Sequence, residues 1–124
     1  MTLFFDHNLP AKLAQILRLL NVDAYALSER FPVDVADVEW IRQVGEWVWI
    51  VFTADLHIRT RGKEHAALRE SGLTVVFLHE RITRKGLWDM TLWMLRQWPV
   101  MKPLLEKASP GTLFRVKTGP LERI

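Results

Sequence analysis

The 124-residue sequence predicts an α/β domain: a short, mostly parallel sheet with helices on both faces. Three observations point there. Apolar stretches of strand length alternate with helical patterns along the chain. The connections between them are short, with no internal repeat, low-complexity tract or interdomain linker. The strongest strand pattern, "WVWIVFTAD" (47–55), is almost continuously apolar and β-branched, as a strand covered on both faces should be. A single domain over residues 1–124 is the expectation, large enough to bury roughly two-thirds of the surface of its unfolded chain.

The elements follow in order. Residues 2–6 read as a first strand running into Asp6, His7 and Asn8. Asn8 suits a helix N-cap, with Pro10 in the first turn where its missing N–H costs nothing. Leu9, Leu13, Ile16, Leu17 and Leu20 then recur at helical spacing, which predicts a helix over 9–21. "DAYALSERF" (23–31) predicts a second strand closed by Pro32. In "DVADVEWIRQVGE" (34–46), Asp34 and Asp37 have the spacing of a capping box, and Val38, Ile41 and Val44 form one helical face. The central strand comes next. After it, "IRTRGKEHAALRESG" gives a basic loop and a helix ended by Gly72, then the strand "LTVVFL" (73–78). "KGLWDMTLWMLRQW" (85–98) predicts a long helix stopped by Pro99, with a last turn or two over 101–107. "TLFRVKT" (112–118) reads as an edge strand.

Composition narrows the function. Cysteine is absent, which excludes disulfides and thiolate zinc sites. No run of 18 apolar residues exists and no basic segment precedes an apolar one, so the expectation is a cytoplasmic protein with no membrane span or signal peptide. A Gly-rich phosphate loop, a G-x-S-x-G elbow and an H-E-x-x-H helix are all lacking. The formal charge of +3 is unevenly spread. Residues 1–57 carry eight acids against four bases, and residues 58–124 carry thirteen bases against six acids. Trp47 and Trp98, at element ends, are the tryptophans expected nearest a partner surface.

In an open parallel sheet, ligands sit beyond the carboxyl ends of the strands. Asp6 ends the first strand and Asp55 the central one, so both acids are expected at one rim; Asp37 begins the helix leading into the central strand. Clustered carboxylates repel one another unless a cation neutralises them, and Mg²⁺ or Mn²⁺ favours such oxygen ligands. A centre of that kind suits phosphodiester hydrolysis. Arg59, Arg61 and Lys63 follow Asp55 directly, and Arg81, Arg84 and Lys85 follow the next strand, a placement suited to gripping nucleic-acid phosphates.

Two segments carry a family resemblance. "LFFDHNLPAKLAQIL", a D-x-N-L motif entering a helix, and "WIVFTADLHI", a strand ending in T-x-D, resemble the PIN-like domains. The spacing of Asp37 and Asp55 fits the same pattern, over roughly residues 2–98. The resemblance is to the short subgroup related to VapC-type toxins of toxin–antitoxin pairs. It implies a three-layer α/β/α sandwich and a Mg²⁺- or Mn²⁺-dependent ribonuclease held inactive by a protein antitoxin. Asp6, Asp37 and Asp55 match the metal-site acids; Asn8 and Thr53 match supporting polar positions. The expected partners are an RNA substrate, an antitoxin and a second copy of the chain. Two positions depart from the pattern. The usual acid between the first strand and Asp37 has only Glu29 near its place, on the expected second strand. His57 stands where the subgroup commonly has a second Asp after T-x-D, as a residue for Mn²⁺ or phosphate without negative charge. That departure keeps open a rival reading, a PIN-like module that binds RNA or protein without catalysis. A phosphoacceptor or small-ligand α/β domain is a third reading, with Lys85 as a candidate for the late strand-end lysine it needs.

Overall fold

The computed structural model describes residues 1–54, 62–117 and 119–124. Six strands form one sheet: β1 (Leu3–Phe5), β2 (Ala24–Ala26), β3 (Ile50–Thr53), β4 (Thr74–Leu78), β5 (Leu113–Val116) and β6 (Glu122–Arg123). Their order is β2-β1-β3-β4-β5-β6, with every pairing parallel except β5 with β6. Six helices complete the described residues: α1 (Ala11–Leu19), α2 (Leu27–Arg30), α3 (Asp37–Trp47), α4 (Gly62–Ser71), α5 (Glu80–Thr83) and α6 (Leu87–Lys107).

The sheet is buried on both faces, which is why its strands read as apolar runs rather than as alternation. On one face Leu3, Phe5, Phe52 and Val76 pack with Leu13 and Leu17 of α1 and with Met90, Met94 and Met101 of α6. On the other, Phe4, Val51 and Val75 meet Trp40, Ile41 and Val44 of α3 and Leu68 of α4. Successive residues of β1 thus serve opposite layers: Phe5 stacks on Phe52 at 5.6 Å, while Phe4 packs on Trp40 at 5.4 Å. The result is the expected three-layer α/β/α sandwich. Among the described residues no helix is long and apolar enough to cross a membrane.

Several local expectations are corrected. Asn8 does not cap α1. Pro10 holds that position, and Asn8 turns back to Asp6 instead. The strand expected over 23–31 stops at Ala26, and residues 27–30 are helical. The cause is Glu29, whose carboxylate reaches back to accept from the Ala26 N–H at 2.9 Å and from both terminal nitrogens of Arg18 at 2.9 and 2.7 Å. Arg18 also donates to the Ala24 carbonyl at 2.8 Å, so one ion pair closes the outer edge of β2. The side-chain hydrogen bonds of this pair hold the Glu29 carboxyl below its usual range and raise Arg18.

Helix α3 begins at Asp37 with Ala36 at its N-cap, two residues later than the capping-box reading with Asp34 as cap. The central strand is shorter than 47–55: Trp47 ends α3, Val48 turns left-handed at φ 59°, and β3 starts at Ile50. Pro99 does not end the last helix, which continues through Pro103 to Lys107. An interior proline costs about 3 kcal/mol, yet Met101 and Leu105 beyond it are buried, each worth roughly 1.5–3 kcal/mol. Both prolines face solvent. Finally, β5 is not an edge strand, because β6 pairs with it.

Helices α3 and α4 touch through Gly45, where an added Cβ would lie 2.7 Å from Ser71 Cβ and 3.2 Å from its carbonyl oxygen. Helix propensity alone would favour Gly45→Ala by about 1 kcal/mol. The clash meets rigid atoms and should win, for a net loss of about 1–3 kcal/mol in urea denaturation. The Gly45→Ala, Ser71→Gly double variant should recover much of the loss. A Gly45→Ala protein more stable than the parent would refute this packing.

Candidate functional site

The register of the sheet builds the site. Phe5 lies opposite Phe52, and the Asp6 N–H continues the ladder to the Phe52 carbonyl at 3.3 Å. The next residues of the two strands, Asp6 and Thr53, are therefore neighbours at the carboxyl end of the sheet. Both are buried, Asp6 at 1% exposure and Thr53 at 0%. The Thr53 hydroxyl donates to Asp6 Oδ2. Asn8 donates its backbone N–H to Asp6 Oδ1 at 3.0 Å and its side-chain amide to Oδ2 at 3.4 Å. A buried carboxylate is tolerable only when its oxygens are hydrogen-bonded. Here the D-x-N segment and the strand-end threonine supply the donors.

Asp37 reaches the same rim by a different route. From Asp37 to Trp47, α3 runs about 15 Å at helical rise. The chain then reverses through Val48 and climbs about 13 Å from Trp49 to Thr53. The helix start is thus level with the strand end. Asp37 is half-buried, and its Oδ1 accepts from the Trp40 indole N–H at 2.9 Å. Trp40 is itself locked in the core against Phe4, so the carboxylate is aimed by a fixed ring. Asp55, His57, Arg59 and Arg61 lie outside the described residues. Lys63 is exposed in the first turn of α4. Among the described residues, no three His, Asp or Glu side chains come together as a metal centre. Glu29 does not fill the place of a further acid, because Arg18 and the Ala26 N–H take its oxygens.

Hard oxygen donors with hydrogen-bonded backing are the donor chemistry that Mg²⁺ and Mn²⁺ accept, so Asp6 and Asp37 fit such an ion. Two hollows flank the rim. One, of about 360 Å³, lies between Asp6 and His7 on one side and Ala26, Ser28 and Val33 on the other. The other, of about 520 Å³, runs from Ala54 across the ends of β4 and β5 to His79, Arg115 and Lys117. His79, which has no role in the sequence reading, caps α5: its Nδ1 accepts from the Arg81 N–H at 3.0 Å. Arg84, one of the expected phosphate grips, pairs with Glu80 at 3.3 Å. Arg81 and Lys85 stay exposed. Arg115 and Lys117, read from the sequence only as part of an edge strand, come to this end through the parallel pairing of β5 with β4.

The architecture and its rim define an α/β/α domain with a buried acid at the carboxyl end of one strand and a threonine hydroxyl bonded to it from the parallel neighbour. A family model described as a PIN like domain matches residues 1–80, and the chain belongs to this family, which is generally associated with nucleases. No curated protein and no solved structure matches the chain.

The Thr53 hydroxyl should be required for burying Asp6. Thr53→Val removes the donor at nearly constant shape and should cost about 1–3 kcal/mol in urea denaturation. Thr53→Ser should stay near the parent. A Thr53→Val loss below about 0.5 kcal/mol would show that other groups carry the carboxylate.

Proposed function

We propose that the chain is a divalent-metal-dependent endoribonuclease and the toxin of a toxin–antitoxin pair. The observation that carries this reading is the buried Asp6 carboxylate, backed by Thr53 and Asn8 at the end of β1. Burying a carboxylate costs several kcal/mol before its partners are counted, and a strand end could close with a neutral residue at no such cost. Family membership supports nuclease chemistry.

In this reading Asp6, Asp37 and Asp55 hold Mg²⁺ or Mn²⁺. The bound ion would polarise the scissile phosphoryl group and lower the pKa of an attacking water. Thr53 and Asn8 fix the rotamer of Asp6 so that its oxygens stay at the rim. Trp40 does the same for Asp37. Lys63 on α4, together with Arg59, Arg61 and His57, would hold the RNA backbone beside the acids, with an affinity that falls as salt rises. Hydrolysis adds water across one P–O bond, so no further co-reactant is needed. An antitoxin would silence the protein by covering the rim or by inserting a side chain among the acids.

The test is cleavage of total cellular RNA by the purified protein with Mn²⁺, with Mg²⁺ and with chelator, beside Asp6→Asn. Cleavage should require the metal and fall by about 10²-fold or more in the variant. The variant keeps the shape of the side chain and should still unfold cooperatively, so that lost cleavage reports on the site rather than on folding. Metal-independent cleavage, or cleavage that Asp6→Asn leaves intact, would overturn the reading.

A further inference from the structure

A row of aromatic rings runs along the α3 side of the sheet, from Tyr25 near the middle of β2 to Trp47 and Trp49 at the end opposite the rim. Tyr25 of β2 stacks with Trp49 at 5.4 Å, Trp49 meets Trp47 at 4.7 Å, and Trp47 meets Phe31 at 5.7 Å. The guanidinium of Arg30 lies over the Tyr25 ring at 4.2 Å and over Trp49 at 5.7 Å. Tyr25 sits opposite Phe4, two residues before Asp6 and one strand over. Strand rise and spacing put its Cα roughly 8 Å from that of Asp6. Helix α2 starts at the rim beside Asp6 and ends at Arg30, so it leads from the rim to the near end of the ledge, and Trp49 lies about 13 Å further from the rim than Thr53.

Three features set this ledge apart from ordinary core packing. Trp47, at the end of the row, is 37% exposed. Arg30 is exposed and makes no ion pair among the described residues, while its neighbour Arg18 is tied to Glu29. The remaining acid of β2's entry, Asp23, accepts from the Thr2 hydroxyl at 2.6 Å. The two indoles meet because Val48 between them is left-handed, a conformation that disfavours a β-branched residue, and its side chain is 76% exposed. The chain thus tolerates a strained, solvent-facing apolar residue at the point where Trp47 and Trp49 are brought together.

We propose that this ledge is a stacking site for single-stranded RNA. One base lies against the exposed part of Trp47 and another on the exposed Arg30 guanidinium, which is supported by Tyr25 and Trp49. Aromatic and guanidinium planes accept any base, and an unpaired cation beside them draws the phosphate. The ledge would hold the strand as it leads away from the bond presented to Asp6, selecting unpaired RNA over duplex. The inference rests on an RNA-directed reading of the rim, and binding separates the two because it is measured without metal.

The experiment is fluorescence anisotropy of the full chain with a labelled single-stranded RNA of about a dozen nucleotides, in chelator, over a range of salt. Duplex RNA of the same length is the comparison. Arg30→Ala and Trp47→Ala should each weaken single-strand binding about tenfold. Arg30→Ala should also reduce the salt slope by about 0.7, whereas Trp47→Ala leaves it unchanged. Arg30→Lys should keep the slope and still lose affinity, and Trp47→Phe should recover part of the loss. Because Arg30 is exposed, its variants remain informative even if Trp47→Ala fails to fold. Affinities within about twofold of the parent for Arg30→Ala and Arg30→Lys would overturn the proposal, as would equal binding of duplex or no saturable binding by the parent. Metal-dependent cleavage alongside any of these results would leave the nuclease reading standing without the ledge.

Discussion

One buried carboxylate organises the rim. Asp6 is almost wholly inaccessible, and its two oxygens receive donors from Asn8 and Thr53. Each donor depends on a larger feature. Thr53 is in reach only because β1 and β3 pair in parallel with Phe5 opposite Phe52. Asn8 is in reach only because the chain turns immediately after the strand, with the Leu9 N–H bonded to the Asp6 carbonyl at 3.2 Å and Pro10 starting α1. A slip of one residue in that pairing would move every side chain of β1 to the opposite face. It would also separate the acid from the threonine. The two-sided core guards against such a slip, since Phe4 and Phe5 are anchored in different layers.

The sheet edges show how little material closes this fold. At β2 a single ion pair, Arg18 with Glu29, takes up backbone groups that would otherwise face water or another strand. At the other side β6, only two residues long, covers β5, and Arg115 pairs with Glu122 across them at 2.8 Å. The same economy shapes the surface. Arg30, without an acid among the described residues because Glu29 is committed to Arg18, becomes the cation of the aromatic ledge.

The main lines were legible in the sequence because burial wrote them there. The continuous apolar run before Thr53 marked a strand covered on both faces. The abrupt switch from Phe5 to Asp6 marked the rim. What stayed hidden turned on tertiary partners. Glu29 folds "LSER" into a helix through Arg18, a residue on another element, so "DAYALSERF" looked like one strand. Pro99 looked like a stop because the buried Met101 and Leu105 that offset its cost lie beyond it. Asn8 has the residue type of a cap but serves the carboxylate two residues back. The ledge joins Tyr25, Arg30, Trp47 and Trp49 from two separated segments, and only the sheet order brings them together.

The proposed function rests on one chemical claim, that the rim holds a divalent cation. The most direct measurement is Mn²⁺ binding followed by electron paramagnetic resonance on the parent chain and on Asp6→Asn. The account predicts saturable Mn²⁺ binding by the parent, displaced by excess Mg²⁺, and its loss in a folded Asp6→Asn protein. Equal Mn²⁺ binding by the two proteins, or none by the parent, would contradict it.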